Sequence, residues 1–181
     1  MVDANRIREG LIARGLPPHV ADGFVMNMRD ESGLNPGINE VSPTVPGSRG
    51  GFGLYQLTGP RRTSYEQFAS QRGVDPANAD AQLDFLVQEL QGPERRAAQS
   101  IFAAQDAPSA AIAIARDFLR PAPEHLSRRM ARYAGQTPES GGPMTPMQSQ
   151  PMQQEEQPRG LRGLLSNPDL FDRLAIGLGG M

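Results

Sequence analysis

Two carboxylates stand side by side in "MRDESGLNPG", residues 28–37, at a point where acids are out of place. The residues before them read as a helix, and Gly33 with Pro36 reads as its end. The backbone dipole is negative at a helix C-terminus, so a cation is favoured there. A break of a local rule is expected mainly at functional sites. Val20, Phe24 and Met28 recur at i, i+4 and i+8 and define the inward face of the helix, and Glu31 falls on that face three residues after Met28. Asp30 lies about 100° away round the helix. Partial burial and the dipole both disfavour the charged form of Glu31. A carboxylic acid kept neutral in this way is suited to general acid catalysis near neutral pH. The other reading is a surface acid paired with Arg29 or an arginine of the following loop, and position alone leaves both open.

Other chemistries are less well supplied. The chain has no Cys, hence no thiol nucleophile, disulfide or thiolate metal site, and only His19 and His125 offer imidazole. No residue cluster calls for a metal or cofactor. All 18 cations are Arg, and in residues 1–135 the 15 Arg are balanced by 15 Asp and Glu. No global basic field therefore exists to hold nucleic acid, which argues against reading "LPPHVADGFVMNMRDESGL" as a helix-turn-helix. The N-terminus "MVDANRIREG" lacks an apolar h-region, so no signal peptide is expected. No uncharged apolar run approaches the ~18 residues of a membrane span.

The elements that must position Glu31 are short helices. Ile7, Leu11 and Ile12 mark the first, over residues 3–14, and Pro17–Pro18 opens the second, which runs to Ser32–Gly33. Residues 33–60 form a long Gly/Pro-rich loop with a local apolar run, "GFGLYQL", and a loop of this length inside a domain is usually functional or disordered. Further helices follow at 61–71 (Tyr65, Phe68, Ala69), then from a cap at Asp75 with Pro76 in first position (Leu83, Leu86, Val87, Leu90). "PERRAAQSIFAAQ", "PSAAIAIARDFLR" and "PEHLSRRMARYAG" each read as one more, opening at or just before their Pro. The expected class is all-α, with about seven short helices around a cleft. Composition shifts after residue 135. Residues 136–159, rich in Gln, Pro and Met, read as a disordered linker, and 160–181 as a short amphipathic helical segment suited to docking.

"ESGLNPG" and "GSRGGFGLYQLTGPRR", with "LIARGLPPHVADGFVMNM", "AQLDFLVQELQG" and "RDFLRPAPEHLSRRMARYA", resemble the phage tail lysozyme family. That family belongs to the lysozyme-like superfamily, with goose-type lysozymes and lytic transglycosylases. The shared pattern is a Glu-Ser pair closing a helix and a Gly-Leu-x-Gln turn some twenty residues on, here Glu31-Ser32 and Gly53-Leu54-Tyr55-Gln56. The resemblance spans about residues 3–135. It implies that Glu31 protonates the glycosidic oxygen of peptidoglycan. It further implies that Ser32, Gly53, Leu54, Tyr55, Gln56, Arg61 and Tyr133 line the substrate site. In this picture Ser32 fixes the carboxyl geometry, and Gly53 admits the sugar or takes a special φ. Gln56 positions glycan or water, Arg61 and Arg62 meet wall carboxylates, and the Tyr133 hydroxyl reaches the catalytic acid. Each has a structural alternative: Ser32 a plain helix-end polar residue, Gln56 a loop brace, Tyr55 a core cap, the arginines partners for acids of their own helix, and Tyr133 a packing residue.

The chain departs from the family pattern in having Leu57 where an aromatic is common and in having no Trp. No second carboxylate is marked either. Glycosidases pair two, at ~5–5.5 Å for retention or ~6.5–9.5 Å for inversion. Glu40 is one candidate, and the substrate's own acetamido group another, which would give a 1,6-anhydro product. The resemblance thus implies a virion-borne muramidase cleaving the MurNAc–GlcNAc linkage in the periplasm, with a lytic transglycosylase or a non-catalytic wall-binding module as alternatives. Peptidoglycan is the expected partner, and phage structural proteins would be contacted through residues 160–181.

Overall fold

The computed structural model describes residues 1–41, 43 and 47–135. The expected linker and C-terminal segment lie outside the described residues. Among the described residues there are seven α-helices: α1 (Ala4–Ala13), α2 (Pro18–Ser32), α3 (Gly59–Gln71), α4 (Ala79–Gln91), α5 (Arg95–Phe102), α6 (Ala107–Ala113) and α7 (Pro123–Ala134). Among the described residues there are no strands, only isolated antiparallel bridges Asn39–Phe52 and Phe52–Leu57 that pin the 33–58 loop to itself. The all-α expectation is met.

Helix α2 runs through the middle of the core. Val20, Ala21, Phe24 and Met28 are each at most 1% exposed, as their spacing requires. Gly23 lets α6 approach directly, because a Cβ there would lie 2.9 Å from both Ala110 Cβ and the Ala111 nitrogen. The same core cluster holds Ile7 and Leu11 of α1, Leu83, Leu86 and Leu90 of α4, Ile101 of α5, and Phe118. Tyr65, Phe68 and Phe85 form an aromatic cluster between α3 and α4, with neighbouring ring centroids 5.4–6.4 Å apart. Helix α7 stands somewhat apart: its one buried residue, Tyr133, packs with Ala111 and Ala115 in a small separate cluster.

Three boundaries differ from the sequence expectation. Asp75 does not cap α4: it folds back on Ala77 N (2.7 Å), "DPAN" becomes a turn, and Asn78 caps the helix by accepting from Ala81 N. Pro93 stays in the turn that precedes α5. The α6 stretch continues as a π-helical turn over Ile114–Leu119, closed by Arg120 in a left-handed conformation (φ 53°). The wider turn places Phe118 against both Phe24 and Tyr55, with centroids 5.7 and 5.9 Å apart.

Candidate active site

Glu31 is the next-to-last residue of α2, which closes at Gly33 with φ 59°. Its side chain is 13% exposed, so it is turned inward as its place on the stripe requires. The partner is neither Arg29 nor a loop arginine. It is Arg129 of α7, also 13% exposed, whose Nη1 lies 2.5 Å from Glu31 Oε1. Burial works against the charge of Arg129, but hydrogen bonding to Glu31 and the charges of Glu31, Tyr133 and Asp30 hold it above its ordinary value. The sequence reading did not single out Arg129. Arg129, Arg132 and Tyr133 sit at i, i+3 and i+4, one face of a helix, and that polar stripe is the signal that would have marked it.

The same face of α7 engages Asp30. The Tyr133 hydroxyl donates to Asp30 Oδ2, with Asn27 Oδ1 3.3 Å away, and Arg132 Nη1 reaches Asp30 Oδ1 at 2.7 Å. Tyr133 therefore meets the acid beside Glu31 rather than Glu31 itself. Burial, then the hydrogen bond to Asp30, raise Tyr133 well above the ordinary phenol. Asn27 braces the arrangement from below, donating to the carbonyls of Gly23 and Ala111 at 3.0 Å each.

Ser32 joins the acid's helix to the Gly53–Gln56 turn. Its hydroxyl lies 2.9 Å from the carbonyl oxygens of both Met28 and Leu54. The turn is held from the other side by Gln82 of α4, a fully buried residue absent from the sequence-based candidates. Gln82 Oε1 accepts from Leu54 N (2.7 Å), and its Nε2 donates to Pro36 O (2.7 Å) and Pro76 O (2.9 Å). Gly53 has φ 78°, and a Cβ there would fall 2.6 Å from the Gln82 amide. Gln56, itself at φ 50°, is partly exposed and donates to Gly53 O at 3.1 Å, which closes the turn. Leu54 is wholly buried.

Tyr55 lies in the interior, and Arg61 covers it with its side chain 25% exposed. The Tyr55 ring is 2% exposed and its hydroxyl donates to Glu89 Oε2 at 3.2 Å. Burial and the charge of Glu89 push Tyr55 far above the ordinary phenol. Arg61 grips Glu89 with Nε and Nη2 at 2.7 and 3.0 Å, donates Nη1 to Phe118 O at 3.2 Å, and stacks over the Phe118 ring. A cavity of about 320 Å³ opens beside this pair, lined by Pro60, Ser64, Phe85 and Gln88 among others, and Glu31 is not part of its wall. Arg62 pairs with Glu66 at i+4 and donates to the carbonyls of Arg49 and Gly50, stapling the long loop to α3. Glu40 accepts from Gly51 N at 2.9 Å.

A helical fold with a largely buried glutamate at a helix end, tied through the next serine to a Gly-Leu-Tyr-Gln turn, matches the Glu-Ser and Gly-Leu-x-Gln pattern of lysozyme-like proteins. The family model for phage tail lysozyme matches residues 3–136, and the chain belongs to that family, a lysozyme-like, peptidoglycan-degrading phage protein. A search of curated proteins returned no match. Among the described residues no helix is long and apolar enough to cross a membrane, and no cluster of three or more His, Cys, Asp or Glu side chains could hold a metal.

Proposed function

We propose that the chain is a muramidase-type glycosidase in which Glu31 is the general acid that protonates the glycosidic oxygen between MurNAc and GlcNAc. The observation that carries this reading is the largely buried Glu31 carboxyl, 13% exposed, on the helix end that Ser32 bonds to the Gly53–Gln56 turn. The Gly53–Gln56 turn is the element that meets the glycan, with the Gln56 amide as its partly exposed polar group. Tyr55 and Arg61 serve by holding that turn from within, and Tyr133 by holding Asp30. Delivery from the virion, acting on the wall in the periplasm, fits the family. In this reading residues 160–181 dock onto phage structural proteins.

A second reading of the bond chemistry has its own support. Hydrolysis by two carboxylates needs a partner for Glu31. Both oxygens of Asp30 are engaged by Arg132 and Tyr133, and Glu40 binds the Gly51 amide. With the substrate's acetamido group assisting at C1, Glu31 would protonate the leaving oxygen and then take the proton from the C6 hydroxyl as that oxygen closes on C1. The product is the 1,6-anhydro sugar of a lytic transglycosylase.

Turbidity loss of purified peptidoglycan tests the first claim, and the mass of the released muropeptides the second. Wild type clears the wall, and Glu31→Gln is slower by about 10²-fold or more. Muropeptides lighter by one water identify transglycosylation. Equal clearing by both proteins removes Glu31 from the chemistry, and binding without clearing by either leaves a wall-binding module.

A further inference from the structure

A general acid must be free to meet the leaving oxygen, yet Glu31 Oε1 is occupied by the Arg129 guanidinium. The clamp belongs to a neutral group of four charges: Asp30 and Glu31 on α2, Arg129 and Arg132 on α7. Protonating Glu31 with both arginines in place would leave a net positive charge in a half-buried site. The two cations are not equivalent. Arg129 is 13% exposed and Arg132 is 51% exposed, so only Arg132 can withdraw into water at low cost. Asp30 is 16% exposed, and its charge already acts on Arg129.

Resting on the glycosidase reading above, we propose that Arg129 is a positioning residue that leaves Glu31 for Asp30 before catalysis, while Arg132 gives up its place on Asp30 to solvent. Glu31 then takes a proton from water and stands as a neutral acid beside the Gly53–Gln56 turn. Asp30 is then paired with Arg129, with the Tyr133 hydroxyl still on its other oxygen. The charge of the half-buried pair is balanced in both arrangements. The groups facing Glu31 in this exchange are Arg129, Arg132 and Tyr133 from α7 and Asp30 from its own helix, with Arg29 exposed at the position before. Among the described residues, no hydrogen bond or ion pair reaches Glu31 from α6 or from the turn. Asp30 is in this way assigned a role as the receiving anion, which accounts for a second acid at an already negative helix end.

The test is a double-mutant cycle on the full chain, read as wall clearing against pH with Glu31→Gln as the inactive control. Asp30→Asn removes the receiver, so Arg129 stays on Glu31: clearing falls about tenfold or more, and its alkaline limit moves to lower pH. Arg129→Gln removes the clamp and moves the alkaline limit to higher pH, while Arg129→Lys keeps the wild-type limit. In the double variant there is nothing left to transfer, so it recovers most of the Asp30→Asn loss. Thermal unfolding of each variant identifies any that fails to fold, and the alkaline limit is compared among the folded ones. The exchange is overturned if the double variant is no better than Asp30→Asn, or if every variant loses activity with its alkaline limit unmoved. Clearing by wild type with Glu31→Gln inactive and additive cycle energies would sink the exchange alone. Clearing that survives Glu31→Gln would sink the acid assignment and the exchange with it.

Discussion

The Ser32 hydroxyl lies 2.9 Å from the carbonyl oxygen of Leu54, 22 residues further along the chain, and so joins the end of the helix that bears Glu31 to the Gly53–Gln56 turn. Both residues are buried, so the contact is shielded from water. In the proposed reading this is why Glu and Ser occur together: Glu31 supplies the acid, and Ser32 fixes its helix end against the turn.

Replacing Ser32 with Ala leaves the Leu54 carbonyl without its hydroxyl partner in a buried site, which costs about 1–3 kcal/mol. Urea unfolding should show that loss. Wall clearing should fall by about tenfold or more, because small displacements of a catalytic group are expensive in rate. A variant that loses stability but clears at the wild-type rate would show that the Ser32 link does not position the acid.

Arg61 separates a substrate role from an internal one. In its pair with Glu89, Glu89 is buried at 4% exposed and Arg61 is 25% exposed. Burial opposes the charge, yet the hydrogen bonds and charge of Glu89 hold Arg61 above its ordinary value. Arg61→Met strands Glu89 and should destabilise the fold by about 3–5 kcal/mol. Wall affinity of the folded fraction, measured by co-sedimentation with peptidoglycan well below the unfolding midpoint, should be close to wild type. Loss of affinity with stability retained would return Arg61 to the substrate site.

The chain has three tyrosines, and all three are held above the ordinary phenol. Burial raises Tyr65 to about 12. The neutral form is thus favoured in the folded state, and its contribution to stability is fully present below about pH 10, the unfolded value. It is lost as pH rises from about 10 towards 12, at up to about 1.4 kcal/mol per pH unit for each tyrosine. In an alkaline titration, tyrosinate absorbance should stay low near pH 10 and rise together with loss of helical circular dichroism. Tyrosinate forming near pH 10 with the helices intact would show that the phenols are accessible.

Much of the fold was legible because it is written in local periodicity. Val20, Phe24 and Met28 set the face of α2, Gly33 its end, and Glu31 the inward carboxyl, all within one helix. Boundaries differ where a side chain has two ways to use its oxygen. Asp75 carries a cap signature in the sequence but closes a turn on Ala77, and Asn78 takes the cap.

What the sequence determined by itself is the all-α class, the inward acid at a helix end and the turn that follows it, since each depends on residues within a few positions of one another. What only the tertiary structure decided is who meets whom. Arg129 reaches Glu31 across 98 residues, Tyr133 meets Asp30 rather than Glu31, and Gln82 and Glu89 of α4 hold Leu54 and Tyr55. A stripe on a helix states which side chains share a face. It cannot state which face they meet, because that depends on how α7 and α4 pack against α2 and the turn. That packing is driven by burial of apolar surface, which has no direction of its own, so the polar partners follow from the packed geometry rather than from spacing along the chain.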